Sequence, residues 1–129
     1  MMGKDSFYNK IIKNIHVPVR VIKFEYDPIC FGNAIVDVEI DCFFVHCVSE
    51  KSQFFNQIHK HSNVYTIETL SNLINKQIVL DANDFSAYVN KILLFINDNL
   101  ELIKSVADVA SDRDNSNEYS TWYKELKKK

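Results

Sequence analysis

Residues 34–48, AIVDVEIDCFFVHCV, constrain the fold more tightly than any other stretch of the chain. In an extended conformation Ala34, Val36, Val38 and Ile40 share one face, while Asp37, Glu39 and Asp41 share the other. Beyond Asp41 the alternation loses phase, because Phe43 and Val45 land on the acidic side. As a single strand the run would extend about 50 Å at ~3.3 Å per residue. A domain of this length has a radius of gyration of only about 14 Å. The strand must therefore bend, bulge or break near residues 41–43, or enter the interior with both faces covered.

The rest of the chain supplies partners for such a strand. Residues 19–26, VRVIKFEY, are rich in β-branched and aromatic types and read as a strand. Asp27-Pro28 and Gly32-Asn33 bracket a loop, so residues 19–48 are expected to form a strand pair. Ahead of it, residues 5–15 carry Phe7, Tyr8, Ile11, Ile12 and Ile15 at helical spacing, and Pro18 bars continuation. A short helix is expected after Ser52, with Phe54 and Phe55 joining Phe43 and Phe44 in the core. Residues 64–76 admit two readings: a strand over 64–67, or a helix capped by Thr66 or Thr69. Residues 77–80, QIVL, are expected to form a short strand.

Residues 84–110 carry one long apolar stripe, from Phe85 through Val89, Ile92, Ile96 and Ile103 to Ala110. One helix of that length would span about 40 Å, so a break into two is expected at Asn97-Asp98-Asn99, where Asp98 and Glu101 make a D-x-x-E capping box. Residues 118–128 can form a terminal amphipathic helix carrying Tyr119, Trp122, Tyr123 and Leu126. Strands early and helices late favour an α+β fold. The expectation is a single domain over 1–129, with a small antiparallel sheet of about four strands packed on one face by the 84–110 helical region.

Composition removes several kinds of function. The chain is 47% apolar with a net charge of −2, which excludes a disordered polymer. No apolar run approaches the ~20 residues of a membrane span. Cys30, Cys42 and Cys47 are odd in number and irregular in spacing, a poor disulfide framework. Without an apolar secretory core near residue 1, a cytoplasmic location is expected. The two glycines, Gly3 and Gly32, cannot together build a phosphate-binding turn, and no cofactor is expected. Basic residues cluster only at Lys124, Lys127, Lys128 and Lys129, so nucleic acid is not an expected partner.

Cys42, His46, Cys47, His59 and His61 lack the C-x-x-C spacing typical of zinc sites, and no metal is expected. Thiols inside an apolar strand are inert rather than nucleophilic. One catalytic alternative stays open, a small hydrolase or transferase working through His46 or the Asp37/Glu39/Asp41 ladder.

Charge is segregated along the chain. Residues 37–50 carry four acidic groups and no basic one, and residues 81–118 carry eight against three. An acidic strand face and an acidic helical half could combine into one negative surface, which steers basic partners. The most economical expectation is a protein-binding module of the immunity or antitoxin type. Asp37, Glu39 and Asp41, with Asp98 and Glu101, would cover the basic active site of a bacterial toxin domain. The other binding role is a secretion chaperone, holding an unfolded client on an apolar surface as a homodimer.

Overall fold

The computed structural model of the chain describes residues 4–27, 33–51, 53–82 and 84–107. In order these form α1 (Lys4–Ile11), β1 (Val19–Asp27), β2 (Asn33–Ile40), β3 (Phe43–Glu50), β4 (Gln53–Lys60), β5 (Asn63–Tyr65), α2 (Ile67–Leu73), α3 (Phe85–Asp98) and α4 (Leu100–Ala107). The fold is α+β. Its one antiparallel sheet has five strands in the order β1-β2-β3-β4-β5, each paired with its neighbour in sequence.

The 34–48 run breaks where its length required. Asp41 and Cys42 form a two-residue turn, Asp41 adopts a positive φ of 54°, and β3 folds back on β2. Ile40 then pairs with Phe43, so both fall on one face and the loss of phase disappears. The expected strand pair over 19–48 is therefore three strands. The device repeats at ten-residue intervals, with Lys51 (φ 50°) and His61 (φ 57°) heading the next two turns. Positive φ at such turns matches their twist to that of the flanking strands.

Two expected elements are corrected. The helix after Ser52 is strand β4, whose core-facing residues are Phe54, Asn56 and Ile58. Residues 77–80 form no strand: they pair with nothing, while Ile78 and Leu80 pack against the core as a loop. The two readings of residues 64–76 both hold in part, since β5 is followed by α2, with Thr66 as its N-cap. The first helix is shorter than expected and ends at Ile11, where Asn90 Nδ2 donates to the carbonyls of Ile11 (2.8 Å) and Lys13 (3.1 Å). Residues 108–110 and the expected terminal helix over 118–128 lie outside the described residues.

The helical region over 84–107 is two helices. Asp84 caps α3, its Oδ1 accepting the Ala87 N–H at 2.8 Å and the Ser86 hydroxyl at 2.7 Å. Asn99 ends α3 by returning both its backbone N–H and its side-chain amide to the Phe95 carbonyl. The helices bury Phe7, Ile11, Leu70, Phe85, Val89, Ile92 and Ile103 against the sheet face that carries Val36, Val38, Val45 and Ile58. Aromatic contacts seal the join: Phe7 stacks on Phe24 with ring centroids 4.7 Å apart, and Phe54 meets Tyr88 at 5.1 Å. Among the described residues no helix is long and apolar enough to cross a membrane.

Candidate functional site

With the helices on one face, the other face of the sheet carries the chemistry. Strand pairing lays it out as three rows. The row nearest the Asp41 turn runs Arg20, Glu39, Phe44, His59, Val64. The middle row is Lys23, Asp37, His46, Gln57. The row at the opposite end is Glu25, Ile35, Val48, Phe55.

The middle row holds the one acid–histidine pair of the described residues. His46 Nδ1 lies 2.5 Å from Asp37 Oδ1, the Asp37 side chain has no exposed surface, and the His46 side chain is 18% exposed. A buried carboxylate needs a charged or donating partner, and His46 is that partner. Asp37 in return fixes the imidazole's orientation. Asp37 Oδ2 and Gln57 Oε1, on either side of His46, are buried acceptors without a hydrogen bond.

In the neighbouring row, His59 meets Phe44 edge-on at 5.9 Å. Burial, with His46 nearby, pushes the His59 imidazole down to about 4, so the ring is neutral at physiological pH. Neither thiol of the described residues, Cys42 or Cys47, suits nucleophilic attack. Cys47 is buried in the core on the opposite face, and burial drives its ionisation far up. Burial also raises Cys42, and the adjacent Asp41 carboxylate adds to the effect. Among the described residues no three His, Cys, Asp or Glu side chains converge as metal ligands.

The expected acidic surface is only partly assembled. Asp37 is not on it, because the residue that alternation assigned to the acidic face is interior. Glu39 pairs with Arg20 across the β1–β2 ladder. Asp41 lies in the turn rather than on the strand, and its carboxylate accepts from Lys104 Nζ at 2.9 Å. That lysine holds the Asp41 carboxyl below the usual range. Lys104 also lies 3.7 Å from Glu101 in α4, so the structure does bring Asp41 and Glu101 together, around a shared cation. Asp98 is exposed at the end of α3, accepting from Asn97 Nδ2 at 3.1 Å.

The third row carries the exposed large apolar side chain of this face. Phe55, expected in the core, is 50% exposed, flanked across the ladder by half-buried Val48 and Ile35. A shallow cavity of about 250 Å³ opens beside them, edged by Glu25 and Glu50. The period-two pattern Phe54-in, Phe55-out would have located this aromatic, had residues 53–60 been read as a strand. No protein-family model, curated protein or solved structure significantly matches the chain.

Proposed function

We propose that this chain is a protein-binding module of the immunity or antitoxin type, which blocks a bacterial toxin domain by covering its active site. The observation that supports it most is Phe55: a large aromatic, half exposed on β4 where β5 does not reach, next to apolar Val48, which with Ile35 lines a carboxylate-edged cavity. Buried aromatic anchors with a polar rim dominate the energetics of protein interfaces. In this reading Glu25 and Glu50 meet basic groups of the toxin beside the anchor, and Glu39, Asp41, Asp98 and Glu101 extend the field that steers it. The Arg20–Glu39 and Lys104–Asp41 pairs do not forbid this role, since exposed pairs contribute only about 0–1 kcal/mol and exchange partners readily. Asp37 takes no part in contact; it holds β2 and β3 together through His46.

The test is co-expression with the product of the adjacent reading frame. Growth arrest by that product alone, relieved by this chain, supports the proposal. Arrest without relief, or a neighbour that is harmless alone, rejects it.

A second reading has one observation in its favour. A histidine oriented by a buried aspartate is the arrangement of a general base, which suits the hydrolase or transferase alternative. Loss of a measurable hydrolytic activity in His46→Ala would support it. No activity in the wild-type chain against ester, phosphoester and amide substrates would remove it.

A further inference from the structure

The two edges of the sheet are unequal. β5 is three residues long and offers little to pair with. β1 is nine residues long, and β2 is its one strand partner among the described residues. An open strand edge of that length is a template for pairing unless it is blunted. The first half of β1 is blunted twice. The Tyr8 hydroxyl donates to the Val19 carbonyl at 3.3 Å, and the register with β2 slips between Val21 and Lys23. From Lys23 to Asp27 the register is unbroken, opposite Asp37 to Asn33.

Turn geometry decides which backbone groups this second half presents. Asp41 and Cys42 make a two-residue turn, so Ile40 and Phe43 close it as a hydrogen-bonded pair. Counted back along β2, Asp37 and Ile35 then bond toward β1, and Val36 toward β3. Lys23 and Glu25 therefore give their N–H and C=O groups to β2, while the backbone of Phe24 and Tyr26 faces the open edge. Val19, opposite Ile40, falls in the same outward set, which is why the Tyr8 hydroxyl can reach its carbonyl.

We propose that this edge pairs with the same edge of a second copy of the chain, antiparallel and two-fold about Phe24, joining two five-stranded sheets into one. In that register Phe24 meets its own copy as a hydrogen-bonded pair, and Lys23 of each chain stands opposite Glu25 of the other. The Lys23 and Glu25 side chains are 3.6 Å apart and 36% and 59% exposed, so each is available to the opposite charge of a second copy. The neighbouring registers repel themselves. A pairing centred on residue 23 sets Lys23 opposite itself, and one centred on residue 25 sets Glu25 opposite itself. On the helical side, the Phe24 ring stacked on Phe7 comes beside its copy and adds apolar contact. Few residues pair on each chain, so the dimer is weak and depends on concentration. Phe55 lies three strands away on β4 and is left untouched, so this inference stands apart from the toxin reading.

Sedimentation of the full chain over a concentration series reads the pairing. The expected result is a monomer at low concentration and a dimer at high. Lys23→Glu and Glu25→Lys each set like charges opposite, and each is expected to stay monomeric where the unaltered chain is dimeric. An equal mixture of the two single variants restores opposite charges at both positions and is expected to dimerise, as is the double variant. Hydrogen exchange gives a second reading on the unaltered chain, which holds even where a variant does not fold. The Phe24 amide, outward in the monomer, is expected to exchange several-fold more slowly at high concentration, with the Glu25 amide little changed. Four results overturn the proposal: a chain monomeric at every concentration, single variants that dimerise as readily as the unaltered chain, a mixture no more dimeric than its components, or a dimer in which exchange at Phe24 is unchanged.

Discussion

Asp37 has no exposed surface, and its stability rests on the nitrogen 2.5 Å away on His46. Removing one member of a buried hydrogen-bonded pair leaves the other unsatisfied and costs about 1–3 kcal/mol. Asp37→Ala is expected near the lower end, because the His46 side chain retains some solvent. Asp37→Asn, which keeps an acceptor, is expected to lose less. Urea denaturation measures both, and a loss for Asp37→Ala no larger than that of an exposed carboxylate would show that the pair holds nothing. His59 gives a pH dependence of definite sign. Its folded pKa of about 4 lies below the unfolded value, so the unfolded chain binds the extra proton first. Its contribution is full above the unfolded pKa and is lost as pH falls toward 4, by about 3 kcal/mol in total. Thermal melts between pH 7 and 4 should show this fall, and His59→Gln should flatten it. The acidic face of β2 was legible in its alternation. The fate of each acid was not, because alternation names a face and says nothing of what covers it. Lys104, which holds Asp41, lies 63 residues further along the chain.

At the scale of elements, the turns headed by Asp41, Lys51 and His61 place non-glycine residues at positive φ. Such a residue costs about 1–2 kcal/mol there, partly offset by the greater unfolded freedom of glycine. Lys51→Gly is therefore expected to stabilise the protein by about 0.5–1 kcal/mol, read as a raised urea midpoint with an unchanged m-value. The α3 cap gives the opposite prediction. Asp84→Ala removes the acceptor for Ala87 N–H and should cost about 1 kcal/mol, while Asp84→Asn should retain most of it. The two-residue break of the long strand and the two-helix form of 84–107 follow from length against domain size, which sequence supplies. The strand at 53–60 did not show itself, for a reason visible in one residue. Its inward positions are Phe54, Asn56 and Ile58, and a polar Asn56 in the middle disguises the alternation. Asn56 is tolerated there because its amide donates to the Tyr88 hydroxyl (2.8 Å) and to Glu68 (3.2 Å), and its Oδ1 accepts the Ile67 N–H at the start of α2 (2.7 Å). Those partners belong to two helices not yet formed when a local window is read.

At the scale of the molecule, the two faces of the sheet divide the work, one for packing against helices and the other for polar pairs and an exposed aromatic. On the proposed reading of this chain as a toxin-binding module, Phe55→Ala is expected to weaken that binding by about 2 kcal/mol or more, with little change in the stability of this chain. Calorimetric titration of the purified pair checks the first and a melt the second; unchanged affinity would place the interface elsewhere. Raising ionic strength should slow association more than it speeds dissociation, since the steering field is screened. The order β1-β2-β3-β4-β5 has a consequence for synthesis. Every strand bonds to the strand made just before it, whereas Asn90 reaches back 79 residues to tie α1 to α3. Every residue of the β-ribbon is therefore synthesised before residues 85–107, whose helices cover Val36, Val38 and Val45. Until its helical roof emerges and docks, the apolar face of the nascent ribbon is open to aggregation.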